Sequence, residues 1–156
     1  MKFDAEKSQI VESLQNAAAV AERRQTIPIL ANLRLKTLNG KLEVTATDLE
    51  IQIKTFSDLL DVEEEGETTV SARKMSELCR SLPDGEKVNF SLTSGKLTVR
   101  ANNFHADFAT ISPDDFPEIE INEELNPLKI NSSVLKRVLT KTCLLYTSDA
   151  ADESDR

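Results

Sequence analysis

The stretch Asn32-Leu33-Arg34-Leu35-Lys36-Thr37-Leu38-Asn39-Gly40-Lys41-Leu42-Glu43-Val44-Thr45-Ala46 decides the fold. Leu33 and Leu35 lead through Leu38 to Asn39-Gly40, after which Leu42, Val44 and Ala46 alternate with polar residues. Period-two apolar runs on either side of Asn-Gly predict a β-hairpin, because the tight turn needs two residues that tolerate positive φ. A further alternating run, Leu49, Ile51, Ile53 and Thr55, follows Asp48 and adds a third strand that ends near Phe56.

Upstream of the hairpin, Met1 to Ala5 is a short strand. Ile10, Val11, Leu14, Ala17, Ala18 and Ala21 then recur at spacings of three and four, which predicts an amphipathic helix with Ser8 as its N-cap. Glu22, Arg23 and Arg24 break that pattern, and Pro28 forces a loop followed by extended chain. Downstream, the acidic segment Asp58 to Glu67, with Gly66, is expected to be a solvated loop. The opening order then returns. Thr68 to Ser71 is extended, and Ser71 or Ala72 opens a helix through Met75, Leu78, Cys79 and Leu82 that Pro83-Asp84-Gly85 ends. Three alternating runs follow: Val88, Phe90 and Leu92; Leu97 and Val99; and Phe104, Ala106, Phe108 and Thr110, with turns at Ser94-Gly95 and Asn102-Asn103. The expected fold is α+β, a doubled β-α-β-β-β unit with two helices packed on antiparallel sheets, repeated in pattern but not in residue identity.

Turn residues at Ser112-Pro113-Asp114-Asp115-Phe116-Pro117 and the acidic run Glu118 to Asn126 close this domain, which is taken as 1–125. Residues 126–142 restart the same order. Leu128-Lys129-Ile130 is a short strand, Asn131 or Ser132 is a cap, and Val134, Leu135, Val138 and Leu139 form a helical stripe. Residues 143–156 differ in composition and are expected to interrupt that helix. Codons for Cys143 to Glu153 can spell a transposon-end adapter of sequencing libraries, so this tail is read as foreign, and Cys143 and Tyr146 are given no role.

The chain has 156 residues, 39% of them apolar and 29% charged, which suits one ordinary core and excludes disorder or a fibrous repeat. Six Phe, one Tyr and no Trp argue against nucleic-acid binding carried by aromatic stacking. A formal charge of −8 argues against binding by general electrostatic attraction. The tail holds four acids and one arginine; without it 18 Lys+Arg face 23 Asp+Glu, and the charge falls to −5. No apolar run suggests a targeting or membrane segment, and two distant cysteines suit a reducing compartment, so a soluble cytoplasmic protein is expected.

An enzyme needs a convergent set of reactive groups. The single histidine, His105, falls on a strand beside Asn102 and Asn103 and reads as a surface residue. Four glycines make no phosphate loop, and Asp48 with Glu50 and Asp114 with Asp115 read as solvated carboxylates rather than metal ligands. Cys79 lies on the apolar side of its helix and reads as a buried small hydrophobe. No catalytic residue, metal site or cofactor is therefore assigned. Basic residues recur at equivalent places instead: Arg23-Arg24 after the first helix, Arg73-Lys74 with Arg80 on the second, and Lys136-Arg137 with Lys141 on the third. Such a series suits either solvated helix faces or contact with a phosphate backbone.

Several segments in order carry a resemblance: Met1-Lys2-Phe3, Thr26-Ile27-Pro28-Ile29-Leu30-Ala31-Asn32, Thr45-Ala46-Thr47-Asp48-Leu49-Glu50, Ala72-Arg73-Lys74, Cys79-Arg80-Ser81-Leu82-Pro83 and Asp114-Asp115-Phe116-Pro117. From residue 1 to about 142 the chain resembles the bacterial DNA polymerase III beta subunit family, the replicative sliding clamps. The resemblance implies the DNA-clamp (processivity) fold and a homodimeric head-to-tail ring of six similar domains with helices lining the hole. Such a ring encircles double-stranded DNA and tethers DNA polymerase III after a clamp loader has placed it. It implies DNA contact by Arg24 and Arg73 and a subunit interface containing Lys74, Ala106 and Phe108. The family's further DNA-contacting glutamine and tyrosine pair would fall where Asp149 and the tail stand, and the groove that binds loader and polymerase lies outside the resembling region. Two other readings remain from the residues alone: a hydrolase or transferase lacking a visible cluster, and a protein-interaction module that uses an exposed strand edge.

Overall fold

The computed structural model describes residues 1–21, 27–119 and 129–152, with side chains of the last segment as far as 142. Two compact units divide the chain, Met1–Ile119 and Glu120–Arg156.

The first unit runs β1 (Lys2–Glu6), α1 (Lys7–Ala18), a 3-10 turn (Pro28–Ala31), β2 (Asn32–Leu38), β3 (Lys41–Thr47), β4 (Gln52–Asp58), β5 (Asp61–Glu64), β6 (Gly66–Ser71), α2 (Ala72–Ser81), β7 (Lys87–Thr93), β8 (Lys96–Ala101) and β9 (Phe104–Ile111). The deciding hairpin forms as its sequence demands. Leu35 faces Val44 across it, and Asn39 and Gly40 both take left-handed backbone, at φ of 52° and 74°. Ser94 and Gly95 repeat that geometry between β7 and β8, at 51° and 74°.

The strand order is β4-β3-β2-β6-β9-β8-β7-β1-β5, with every pairing antiparallel. The two halves exchange their leading strands: β1 pairs with β7 of the second half, and β6 pairs with β2 of the first. Their last strands cross over as well. The chain leaving β4 continues as β5 alongside β1, and the end of β9, Thr110 and Ile111, pairs with Val70 and Thr69 of β6. The doubled pattern thus builds one body rather than two separable ones.

That exchange corrects the expected loop over Asp58 to Glu67, which holds β5 and the start of β6. Val62 supplies the half-buried apolar side chain of β5, while Asp61, Glu63 and Glu64 are exposed on an edge strand, where charge discourages further pairing. The third run likewise begins later than its periodicity suggests. Leu49 has a φ of 77° in a turn, and the strand starts at Gln52.

Both helices contribute to one core. Ile10, Leu14 and Ala17 of α1 and Met75, Leu78 and Cys79 of α2 are buried with Leu33, Leu35, Val44, Phe3, Phe90 and Val99 of the sheet. The Phe3 and Phe90 rings stack with centroids 4.7 Å apart. Ser8 is not the cap of α1: Glu6 is, and its N–H donates to Gln9 Oε1 at 2.8 Å in a capping box. The helix ends at Ala18, short of Ala21. Of the two residues expected to open α2, Ala72 is its first and Ser71 caps it, its Oγ accepting from the Lys74 N–H.

After β9, residues 112–119 strap the outer face of β2, β3 and β4. Phe116 is buried, Glu118 bridges Arg34 at 2.8 Å and Lys54 at 3.2 Å, and the Ile119 N–H donates to Gln52 Oε1 at 2.9 Å. Because Arg34 and Lys54 flank Thr45 in register, Glu118 passes over Thr45, a polar residue that is fully buried.

In the second unit, Leu128 lies outside the described residues, and Lys129 and Ile130 form no strand. Helix α3 (Ser132–Asp152) is capped by Asn131, whose Oδ1 accepts from the Ser133 N–H at 3.0 Å. The helix continues through the tail that was expected to interrupt it, because Leu144, Leu145, Ala150 and Ala151 are good helix formers whatever their origin. Val134, Leu135, Val138 and Leu139 of α3 are exposed.

Candidate nucleic-acid and subunit interfaces

Helix α2 is sharply two-sided. Ala72, Met75, Leu78 and Cys79 are buried, and Arg73, Lys74, Glu77 and Arg80 are exposed on the other side. Arg73 is 88% exposed, and its Nε donates to Glu77 Oε1 at 3.1 Å. Among the described residues, neither Lys74 nor Arg80 has a carboxylate within ion-pair distance. The exposed side of the neighbouring α1 carries Ser8, Glu12, Gln15, Asn16 and Ala19, so the cationic character of this face comes from α2. Arg24, the other candidate for DNA contact, lies outside the described residues, as does Arg23. Lys136, Arg137 and Lys141 are exposed on α3 in the second unit.

The candidate interface residues divide differently. Ala106 and Phe108 alternate with His105 and Asp107 along β9 and face inward. Ala106 is partly buried against the core, and Phe108 is only 7% exposed within it. Phe108 is therefore already packed in its own unit. Among the described residues, what β9 leaves free is its backbone edge. Phe104 to Ala109 pair with β8 on one side, whereas only Thr110 and Ile111 pair with β6 on the other. Outward from that strand, Asp107 accepts from Lys96 Nζ and Thr98 Oγ1, each at 2.7 Å, which holds its carboxyl down to about 2. His105 is half-exposed, with Nε2 3.4 Å from the same carboxylate, in keeping with a surface histidine. Lys74 sits on α2 and makes no hydrogen bond or ion pair with β9 among the described residues.

Of the carboxylates weighed as metal ligands, Asp48 serves as a turn cap. Asp48 Oδ1 accepts the N–H groups of Ile51 at 2.7 Å and Glu50 at 3.0 Å, which lowers its pKa. At the second pair the cap is Ser112, whose Oγ accepts from the Asp114 N–H and donates to Asp114 Oδ2. Cys79 is buried, and burial pushes its thiol up to about 11, which leaves it inert. Among the described residues, no three His, Cys, Asp or Glu side chains are grouped as metal ligands would be. The strand edge and the Glu77 partner escape a reading of apolar periodicity; the four-residue spacing from Arg73 to Glu77 is the signal that the sequence offers for the second.

The model of the DNA polymerase III beta subunit N-terminal domain matches residues 1–120. A beta sliding clamp of Pseudomonas putida is 33% identical over 142 residues, covering 91% of this chain and 39% of that protein. One of Vibrio harveyi is 35% identical over 142 residues, covering 91% of this chain and 98% of that sequence. The crystal structure of the DNA polymerase III subunit beta from Pseudomonas aeruginosa superposes with a TM-score of 0.85 at 33% identity, over 90% of this chain and 38% of that one. A Caulobacter crescentus DNA polymerase sliding clamp gives 0.75 at 30% identity, over 79% and 34%. The chain thus spans about 39% of the length of the Pseudomonas putida relative.

Proposed function

The chain belongs to the DNA polymerase III beta subunit family, and from that membership we propose that it is part of a replicative sliding clamp. In this role the full protein, a non-catalytic processivity factor, closes as a homodimeric ring around duplex DNA in the cytoplasm and tethers DNA polymerase III once a clamp loader has opened it. Residues 1–125 form the first clamp domain, 126–142 open a second, and 143–156 are foreign sequence. The observation that carries the proposal is the helix layer. A doubled unit buries one side of α1 and α2 in its sheets and turns Arg73, Lys74 and Arg80 outward.

Topology makes weak contacts sufficient. A closed ring stays on DNA because it is linked to it, and each lysine or arginine held tightly on a phosphate would resist sliding. An acidic chain with a few exposed arginines fits that requirement better than a basic one. Arg24 and Arg73 are assigned to the phosphate backbone. Lys74, Ala106 and Phe108 are assigned to the subunit interface, and the free edge of β9 supports this by offering unpaired N–H and C=O groups to a strand of the next subunit. With Phe108 in the core, its contribution is to hold β9 in place. In the full-length clamp, Arg24→Ala combined with Arg73→Ala should shorten retention on nicked circular DNA at low salt. Retention equal to wild type would remove both assignments.

A further inference from the structure

Arg73, Glu77 and Arg80 follow one another at spacings of four and three on the exposed side of α2, a single stripe with an acid between two arginines. Of the two arginines, only Arg73 is engaged among the described residues, through the 3.1 Å contact from its Nε to Glu77 Oε1. The contact does little for the fold. Both side chains are largely exposed, at 88% and 57%, and an arginine preceding its glutamate along a helix is the weaker order. Glu77 is also unnecessary for ending the helix, since it is the backbone C=O of Glu77, not its carboxylate, that accepts from Ser81 Oγ at 3.2 Å.

We propose that Glu77 is a positioning residue that competes with DNA phosphate for Arg73. Its carboxylate occupies one edge of the guanidinium and sets a negative charge beside the remaining donors. A phosphate must then displace or tolerate that charge to be bound, and the contact is broken as easily as it is made. Arg80, unpaired among the described residues, binds without that restraint, so the same helix carries one damped and one undamped arginine. The proposal rests on α2 facing DNA.

The test titrates the isotopically labelled 156-residue chain with a short duplex at low salt and follows α2 amide shifts, which also report that each variant is folded. Glu77→Gln should tighten binding about two- to fourfold. The slope of log K against log salt should also steepen by up to about 0.9, as one more phosphate contact is made. That gain should vanish in an Arg73→Gln background and persist in an Arg80→Gln background. If Arg73→Gln weakens binding but Glu77→Gln brings no gain, or the gain survives without Arg73 as a general charge effect, Glu77 is no competitor and the DNA-facing role stands. If α2 amides shift but Arg73→Gln binds as well as wild type, the DNA-facing role falls and the competitor with it.

Discussion

Asp4 is a carboxylate that the fold has buried and then answered. It is 4% exposed on β1, with Lys87 Nζ at 2.7 Å and Asn89 Nδ2 at 2.8 Å, both from the strand beside it. Burial alone would raise its pKa, but the hydrogen bonds from Lys87 and Asn89 and the lysine's charge outweigh burial and lower it. A depressed carboxylate stabilises the fold above the ordinary carboxylate range, near pH 4, and that contribution is lost as pH falls through the range toward the folded value. Asp4→Ala strands Asn89 and removes the charge, and is expected to cost about 1–3 kcal/mol at pH 7. Asp4→Asn keeps a partner for Asn89 and should cost less. Urea midpoints at pH 7 and pH 3 give the check: the wild-type advantage over Asp4→Asn should shrink at the lower pH. An advantage independent of pH would mean that the ion pair does not hold β1 to β7.

Element by element, what the residues reveal depends on whether side chains or backbone define the element. The hairpin at Asn39-Gly40, the meander from Val88 to Thr110 and the apolar faces of α1 and α2 were legible because each buries one regular row of side chains. β5 was not, since an edge strand needs little apolar surface and its acids mimic a loop. The strap over β2 to β4 was hidden for a related reason: one phenylalanine and one ion-paired glutamate fix it. Among the site residues, Arg73 and Lys74 could be placed outside the core from the helical period, whereas the open edge of β9 follows from sheet order, which no local pattern encodes. The status of β5 as a true strand makes a prediction. Val62→Asp puts a charge in place of the half-buried apolar side chain by which β5 packs on the core, so amides of β5 and of β1 residues facing it should lose hydrogen-exchange protection while the pairing of β1 with β7 persists. Unaltered protection at β5 would return that segment to a loop.

At the scale of the whole molecule, the exchange of leading strands explains why the unit ends where it does. Among the described residues each meander finishes on a strand with an open far edge: β9 is unpaired there from Phe104 to Ala109, and β4 pairs with β3 alone. Free edges six or seven residues long invite pairing with another strand, and soluble proteins normally blunt or cover them. Here charge alone is a thin defence, because Asp107 is already engaged with Lys96 and Thr98 of its own sheet. Under the proposed ring, the open edge of β9 is where a strand of the next subunit would pair. Hydrogen exchange can distinguish this from an edge that stays open. In the 156-residue chain, those amides of residues 104–109 that point away from β8 should exchange far faster than the amides bonded to β8. In a full-length clamp assembled as a ring, the same outward amides should become protected, whereas the amides of β8 should change little. Equal exchange in both forms would place the subunit contact elsewhere and leave Lys74, Ala106 and Phe108 as residues of a single domain's architecture.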